Sequence, residues 1–509
     1  MNLPFSLTFE RNLAVSRRLA VIFGLPFSIG LLLPLGFAPF HFPGISILSV
    51  AFFYLLLQQS SIKSAALNGL FFGLGFFGLG VSWVYVSIHA YGHLPMIAAA
   101  CITLTFILYL ALYFTVLAIG YSYFAKYNSS LIKRAIFFST LWILLEYIRA
   151  HLLTGFPWLL LGISQFDSPL GNLLPILGVY GTGFITAIIA TCFAYAISPT
   201  QKNRFFCLAL GVFILLLPNV FANHGWVKED PKSISVAAVQ ANLSMRDKWD
   251  ESLFWQILDI YTSKVEQLLG TDLIVLPESA IPLPADYLHD TLFEFHEKTN
   301  LSHSALIMGI PTTSSHDNQT QYHNAMLGFG LAKGQYLKQH LVPFGEYIPK
   351  LFLNLSKKIA LVDPDISQGP RNQRLIKVHG YPIAALICYE LAYAELLRAQ
   401  LPKAQLIISL SDDGWFGRSL AIYQQLQIAQ VRSKQVGRYQ VVSNNDGLTS
   451  VLNTKGEIVA SLPAFVPDIL HANIHAATGF TPWTKIGDNP IIMLLCILLL
   501  YTTLARSIK

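Results

Sequence analysis

The stretch IAALICYE, residues 383–390, places a cysteine and a glutamate directly after a short, continuous apolar run. Apolar runs of about four to eight residues predict strands that are buried on both faces of a sheet. Two upstream segments also place a reactive polar group at or near the end of a strand-like run. LIVLPES, residues 273–279, contains a carboxylate, and YLK, residues 336–338, ends in an amine. The sequence therefore predicts a buried sheet with a thiol, a carboxylate and an amine near strand ends, as covalent acyl chemistry requires.

The region around these segments, residues 222–486, is predicted to be an α/β domain. Beta-branched apolar runs alternate there with amphipathic runs, and a region of this length can bury a core without disulfides. The predicted strands lie at about 234–240, 272–276, 304–309, 325–331, 336–342, 382–388, 405–410, 439–443 and 448–452, and the predicted helices at about 249–268, 286–299, 391–400 and 420–435.

The rest of the chain is predicted to lie in a membrane. Of the 509 residues, 53% are hydrophobic and only 12% are charged, with a mean hydropathy of +0.51. This composition is too apolar for a soluble enzyme. About seven spans are predicted in a membrane domain over residues 1–221 and one more in residues 487–509, at about 18–36, 44–60, 65–87, 94–124, 132–150, 174–198, 203–221 and 487–505.

Basic residues in the predicted loops alternate sharply between the two sides of this membrane domain. The short loops at about 37–43, 86–93 and 151–173 contain no Lys or Arg. The positive-inside rule therefore predicts cytoplasmic termini and an extracytoplasmic region 222–486. Anionic lipid explains the net charge of +6, and no nucleic acid partner is expected. The basic residues predicted on the cytoplasmic side are Arg11, Arg17, Arg18, Lys63, Lys126, Lys133, Arg134, Lys202, Arg204, Arg506 and Lys509.

Cys388 is the only cysteine of the five that lies outside the predicted spans. In an oxidising compartment a thiol without a partner is either an inert core residue or is kept free for reaction. A reactive thiol needs a base or a positive neighbour, and Glu278 and Lys338 would meet these needs. Each has a structural alternative, because a Glu after Pro often lies in a turn and a Lys on a strand is usually a solvated edge residue.

The ordered set Pro277-Glu278-Ser279, Lys338 and Cys388-Tyr389-Glu390 resembles the nitrilase, or carbon–nitrogen hydrolase, superfamily. That resemblance implies a four-layer αββα sandwich and a Glu-Lys-Cys catalytic triad. Together with the predicted spans, the chain is similar to one family in particular, the apolipoprotein N-acyltransferases. Further segments that carry this resemblance are SWVYVS (82–87), LTGFPW (153–158), KW (248–249), Asn324, HLVPFGE (340–346) and WFG (415–417).

The resemblance implies a mechanism and a role for each matching residue. Glu278 would take the thiol proton, Cys388 would attack a phospholipid ester and Lys338 would stabilise the oxyanion. The resulting thioester would then acylate the N-terminal amine of the diacylglyceryl-cysteine of an apolipoprotein. The resemblance also implies supporting roles for Glu346, Glu390 and Tyr389 and substrate contacts for Trp249, Asn324 and Trp415.

The same resemblance implies where the protein works and with what. We expect a multi-pass monomer of the bacterial inner membrane whose catalytic domain faces the periplasm and whose termini are cytoplasmic. Neither a metal nor another cofactor is expected, because the 14 histidines show no metal-binding spacing. One departure from the family pattern concerns Asp412-Asp413-Gly414, where the family commonly shows an Asn-Asp pair and then a small residue.

Two other functions remain open from the sequence. A membrane-anchored amidase or nitrilase would use the same triad on small amides, and a transporter or receptor would carry a catalytically inactive outer domain. The dinucleotide-like pattern GLGFFG, residues 73–78, lies within a predicted span and has no acidic residue nearby for a ribose. Gly69 and Gly73 instead predict close helix packing.

Overall fold

The structure, a computed structural model, describes residues 23–92, 94–199, 201–316, 319–350 and 366–504. These residues form two compact units. One contains the described residues up to His224 and from Asp488 onward, and the other is Gly225–Gly487. The beginning of the first predicted span and five of the basic residues used to predict orientation lie outside the described residues: Arg11, Arg17, Arg18, Arg506 and Lys509.

The described part of the first unit is helical. Four helical stretches are long and apolar enough to cross a membrane, namely Ile62–Gly80, Met96–Lys126, Pro169–Ile197 and Arg204–Phe221. Three shorter apolar helical stretches are Leu25–Gly36, Pro43–Gln58 and Asn489–Leu504. The predicted helical membrane region is thereby confirmed, while the count of about eight spans stays a prediction. The helix Leu131–Arg149 lies at the predicted fifth span and contains Lys133, Arg134, Glu146 and Arg149.

Glycines allow two of these helices to approach each other closely. A Cβ atom at Gly69 would lie 2.3 Å from the carbonyl oxygen of Phe114, and one at Gly73 would lie 2.6 Å from the Cα atom of Ala111. Both distances are too short for a side chain. The predicted role of this glycine pair in helix packing is therefore confirmed, and it joins the helices Ile62–Gly80 and Met96–Lys126.

The second unit contains two sheets. The strands are β1 Val227–Gln240, β2 Leu273–Val275, β3 Ala305–His316, β4 Gln319–Gly330, β5 Ala332–Lys333, β6 Gln335–Leu337, β7 Lys377–Val378, β8 Tyr381–Ile387, β9 Leu406–Ser411, β10 Gln440–Asn444, β11 Ser450–Leu452, β12 Ile458–Ser461 and β13 Asp468–Gly479. One sheet has the order β13-β1-β2-β3-β4-β6 and the other β12-β11-β10-β9-β8-β7-β5. Parallel pairs at the centre of each sheet, β1-β2-β3 and β8-β9-β10, bring their carboxyl ends to a common edge.

Apolar side chains of both sheets form one continuous core between them. Val275 and Ile307 of the first sheet belong to the same buried cluster as Ile387 and Ile408 of the second. Each such side chain contributes about 1.5–3 kcal/mol when it leaves water. This cluster explains why the runs that contain these residues have no polar alternation.

Helices cover the outer faces of both sheets. The helix Phe254–Leu268 buries Ile257, Tyr261 and Val265 against the first sheet, at the spacing of one helix face. On the second sheet, Gln400 of the helix Ala394–Gln400 bonds both backbone groups of Ala385 in β8. The helices His289–Leu301 and Ala421–Val436 complete the layers. The predicted αββα sandwich is thereby confirmed.

The predicted strand set is incomplete at the edge of the first sheet. Strand β13 was not predicted, although it pairs with β1 over almost its whole length. Its sequence alternates between apolar and polar residues from Leu470 to Ala476, and Leu470, Ile474 and Ala476 are buried whereas His471 and Asn473 are exposed. This alternation is the signal of a half-buried strand, so the sequence contains evidence for β13 that the prediction missed.

Candidate active site

The candidate nucleophile, Cys388, lies in a sharp turn after β8. Its backbone φ is +52°, and a 3₁₀ helix follows over Cys388–Ala392. A residue with a side chain is strained in this conformation by about 1–2 kcal/mol. Such strain persists only where the surrounding structure fixes it, as at many active sites. The Cys388 side chain is itself buried.

Glu390 fixes this turn with four hydrogen bonds to one carboxylate. Its Oε2 accepts from the backbone N–H of Ile387 at 2.8 Å, directly before the nucleophile. Its Oε1 accepts from Tyr336 Oη at 2.9 Å and from the N–H groups of Gln339 and His340 at 2.6 and 3.0 Å. Burial raises the pKa of Glu390 to about 7, although these donors favour the charged form. The predicted supporting residue therefore joins the segment after β6 to the turn after β8.

Replacement of Glu390 by Gln is expected to lower the free energy of unfolding by about 2 kcal/mol, because an amide presents N–H groups where only donors face it. The rate of reaction at Cys388 should fall as well, since the turn loses its anchor. Thermal unfolding of the full chain in detergent measures the first effect. Glu395→Gln, at an exposed carboxylate that pairs with Arg398 in the same segment, is the matched control and should leave both quantities unchanged. Equal stability of Glu390→Gln and the unaltered protein would contradict this role.

Glu278 follows β2 and is held on both carboxylate oxygens. Oε1 accepts a hydrogen bond from Asn324 Nδ2 at 2.7 Å, and Oε2 accepts one from the backbone N–H of Asp412 at 3.1 Å. The side chain is buried. A carboxylate whose oxygens are both occupied is fixed in orientation, as a general base must be.

Lys338 follows β6 and lies between two carboxylates. Its Nζ is 2.8 Å from Glu346 Oε1 and 3.5 Å from Glu278 Oε1, and the side chain is only 1% exposed. Glu346 is held in turn by the backbone N–H of Val342, which donates to Oε2 at 2.7 Å. The ammonium group is therefore fixed in the site by two anions.

Burial favours the protonated form of the nucleophile, and the charges around it modify this effect. Burial raises the pKa of the Cys388 thiol well above its ordinary value and Glu278 raises it further, against the charge of Lys338 and a hydrogen bond with Ser411. Burial also raises the pKa of Glu278, and the charge of Lys338 opposes this change. Burial alone would lower the pKa of Lys338, but the charges of Glu346, Glu278 and Cys388 outweigh it and raise the pKa. The site therefore holds an ammonium and a thiol, and the thiol needs a base to react.

The other predicted site residues lie in two different settings. Asn324, predicted to contact substrate, donates to both Glu278 and Glu346, at 2.7 and 3.3 Å. Tyr389 is partly buried, and its ring packs 5.3 Å from that of Tyr393 and 5.9 Å from that of His340. Trp249 and Trp415, in contrast, are 51% and 40% exposed. Large exposed aromatic side chains are suited to contact an apolar ligand.

Residues to which the sequence analysis gave no role complete the site. Lys248 is buried, donates to the carbonyl oxygen of Glu278 at 2.8 Å and forms an ion pair with Asp412. Asp413 accepts hydrogen bonds from Ser411 and Asn444, and burial raises its pKa to about 7. The only sequence signal for these residues was their place inside quoted motifs, beside Trp249 and before Trp415.

Two family models together match most of the chain. Residues 29–192 match the model described as the apolipoprotein N-acyltransferase N-terminal domain. Residues 235–481, which contain Glu278, Lys338 and Cys388, match the carbon-nitrogen hydrolase model.

Relatives match nearly the whole length of the chain. The apolipoprotein N-acyltransferase of Coxiella burnetii (strain RSA 493 / Nine Mile phase I) is 35% identical over 478 residues, which is 93% of this chain and 98% of the relative. That of Pseudomonas aeruginosa (strain LESB58) is 35% identical over 493 residues, 95% of this chain and 96% of the relative. Among solved structures, a carbon-nitrogen hydrolase from Helicobacter pylori G27 is 16% identical with a TM-score of 0.37, and the match covers 54% of this chain and 99% of that chain.

Proposed function

This chain belongs to the apolipoprotein N-acyltransferase family and is an acyltransferase, and from this premise we propose how its own residues perform the reaction. An acyl chain passes from a phospholipid to the thiol of Cys388, and from there to the N-terminal amine of the diacylglyceryl-cysteine of an apolipoprotein. The intermediate is a thioester. Such two-step transfer is ping-pong chemistry.

The first half-reaction begins with proton transfer from the thiol of Cys388 to Glu278. The sulfur attacks the ester carbonyl carbon of the phospholipid, and negative charge develops on the carbonyl oxygen. The fixed ammonium of Lys338 stabilises that oxyanion. The carbon–oxygen ester bond then breaks, Glu278 returns the proton to the leaving oxygen, and a lysophospholipid departs from the thioester.

The second half-reaction uses the same three groups, but the sulfur of Cys388 is now the leaving group instead of the nucleophile. The neutral α-amine of the apolipoprotein attacks the thioester carbon, and Lys338 again faces the oxyanion. The carbon–sulfur bond breaks as Glu278 accepts a proton from the amine, which becomes an amide nitrogen. The proton returns to the sulfur of Cys388, so the enzyme is restored.

The position of Lys338 is the observation that carries this proposal. Its ammonium lies 3.5 Å from the carboxylate of the base and 2.8 Å from that of Glu346. A buried cation with two anionic partners stays charged through the reaction, and its charge acts strongly because the site is shielded from water. A lysine on a solvated strand edge, the structural alternative, would be exposed, whereas this side chain is 1% exposed.

The amidase alternative has less support. The matched relatives are named apolipoprotein N-acyltransferase, and 93% or more of this chain takes part in each of the two alignments given above, including the helical unit. Hydrolysis of a small soluble amide needs no apolar helices. Release of ammonia from soluble amides in the absence of lipid would favour the amidase, whereas acylation from phospholipid favours the transferase.

The partners and the orientation belong to the same proposal. A phospholipid donor and a lipoprotein acceptor both carry acyl chains, and each buried methylene contributes about 0.8 kcal/mol to lipid partitioning. An enzyme held in the membrane meets both substrates there. The Lys and Arg distribution in the loops supports a periplasmic catalytic unit and cytoplasmic termini, and Trp249 and Trp415 are suited to contact acyl chains. We propose a monomer, because the triad is complete within one chain.

Incubation of the purified full chain with phospholipid alone is expected to leave an acyl group on Cys388. Without an acceptor amine the thioester has no rapid route onward, so it accumulates. Mass spectrometry of the digested protein should locate the added acyl mass on the peptide that contains Cys388, and hydroxylamine should remove it. An added apolipoprotein should discharge the same adduct. An adduct on any other residue, or hydrolysis without an adduct, would refute the mechanism.

A further inference from the structure

A buried ion pair lies beside the proposed base. Lys248, at the end of the helix Met245–Lys248, and Asp412, directly after β9, are 1% and 3% exposed. Burial of an ion pair rarely gains net stability, because desolvation offsets most of the attraction. Stability alone therefore does not explain why this ion pair lies in the active site, and we look for a functional role.

Both members of the pair bond to Glu278. Lys248 Nζ donates to the backbone carbonyl oxygen of Glu278 at 2.8 Å, while the backbone N–H of Asp412 donates to Glu278 Oε2 at 3.1 Å. The pair therefore holds the base at both its main chain and its carboxylate. Asp412 is itself fixed, since its Oδ1 accepts from the N–H of Gly414 at 3.3 Å and from Asn445 Nδ2 at 3.2 Å.

The main-chain bond is needed because the backbone after Glu278 is unusual. Ser279 has a φ of +46°, a conformation that strains a residue with a side chain. The carbonyl that Lys248 binds belongs to the peptide group between these two residues. Gly309 of β3 packs against the same turn, where a Cβ atom would lie 2.7 Å from the Cα atom of Glu278. The lysine therefore holds the peptide group that directly follows the base.

We propose that Lys248 and Asp412 act together as a positioning pair that orients Glu278 and balances the charge beside it. The proposal rests on the role of Glu278 as the base in the proposed function. Neither residue is assigned a direct step, because each bonds to the base and not to the reacting atoms.

The charges around Glu278 predict how Lys248 and Asp412 each affect the protonation of the Glu278 carboxylate. The ionisable groups that face it are Lys338, Glu346, Asp412, Asp413, Cys388 and Lys248. The charge of Asp412 raises the pKa of Glu278. The positive charge of Lys248, which bonds the carbonyl oxygen of Glu278 and pairs with Asp412, should oppose that effect. Removal of the lysine should therefore make the base harder to ionise, and removal of the aspartate charge should make it easier.

The test follows the rate of thioester formation on Cys388 from phospholipid, in the full chain in detergent, between about pH 4.5 and pH 9. Lys248→Met should lower the rate at pH 7 by about 10–100-fold and move the acid limb of the profile to higher pH by about one unit. Asp412→Asn keeps the backbone donor and should move the limb to lower pH. The double variant, which restores the charge balance, should return the limb to its original position.

Controls separate positioning from a purely structural role. Lys298→Met breaks a surface ion pair with Glu266 and Glu294 in the same unit and should leave the acid limb unmoved. If Lys248→Met does not fold, two other variants test the proposal. The acid limb of Asp412→Asn should still move to lower pH, and that of Lys248→Arg, which retains the positive charge, should stay in place. An acid limb that coincides in the unaltered protein and in every folded variant of the pair would overturn the proposal.

The proposed function itself is tested by Glu278→Gln in the same assay. A normal rate of thioester formation by this variant would remove Glu278 as the base and with it the proposed function. Loss of thioester in Glu278→Gln together with unmoved limbs in the Lys248 and Asp412 variants would refute the positioning pair alone.

Discussion

Replacement of Cys388 by Ala is expected to abolish acyl transfer, with a loss on the order of 10⁶-fold in turnover, as for other covalent nucleophiles. Neither Glu278 nor Lys338 can form the thioester in its place, because their side chains contain no sulfur. The measurement is N-acylation of a diacylglyceryl apolipoprotein by mass spectrometry. The variant should remain folded, because the substitution removes only one buried sulfur atom. The positive φ at this position strains Ala and Cys equally, since both have a Cβ atom.

Two further variants make this result specific. Cys388→Ser should also be inactive, because a buried hydroxyl is far less acidic than a thiol and Glu278 cannot ionise it. Cys101→Ala, at an exposed cysteine of the helix Met96–Lys126, is the matched control and should retain full activity. Unchanged N-acylation by Cys388→Ala would remove the thioester from the mechanism.

Replacement of Lys338 by Met is expected to lower the rate of thioester formation by about 10³–10⁴-fold. Loss of one oxyanion donor accounts for about 10²–10³ of this factor. The remainder comes from Glu278, because its pKa rises further once Lys338 no longer opposes Glu346. The measurement is the single-turnover rate of acylation from phospholipid, with Glu278→Gln beside it for comparison.

The same substitution also leaves the buried carboxylate of Glu278 and the partly buried one of Glu346 without their cation, which should destabilise the fold by about 3–5 kcal/mol. The double variant Lys338→Met with Glu346→Gln removes one of those charges and should recover stability without recovering the rate. Lys333→Met, on the exposed end of β5 in the same segment, is the matched control and should change neither. A Lys338→Met variant that acylates normally would show that the ammonium has no part in the chemistry.

The triad was predicted from the resemblance of the motifs that contain it, and two of its three members also follow short apolar strands. Glu278, Lys338 and Cys388 come after β2, β6 and β8, and the runs in β2 and β8 leave no doubt about burial on both faces. Side chains that follow the carboxyl ends of parallel strands meet at one edge of a sheet. This rule does not cover Lys338, because β6 pairs antiparallel with β4, and it does not join β2 to β8, which belong to different sheets. The prediction that the three groups meet therefore depended on the resemblance of the motifs that contain them.

The supporting contacts could not be predicted in the same way. Glu390 accepts from residues 51 and 54 positions upstream, and Lys248 pairs with a residue 164 positions downstream. Nothing in the local pattern distinguishes these charged residues from solvated ones. Their burial depends on how two separate sheets and the loops between them pack. The periodicity of apolar residues in the sequence gives no information about that packing.

The sequence by itself determined the two-part organisation and the α/β character of the second part, because apolar period is a local property of the chain. The αββα layers and the roles of Glu278, Lys338 and Cys388 were predicted from the resemblance of the motifs that contain them. Only the tertiary structure showed which charged groups contact each other. Lys338 lies between Glu278 and Glu346, and Glu390 holds the turn at Cys388. Lys248 and Asp412 hold the proposed base. Electrostatic energy depends on distance and burial in space. Both quantities arise only when residues far apart in the chain are packed together away from water.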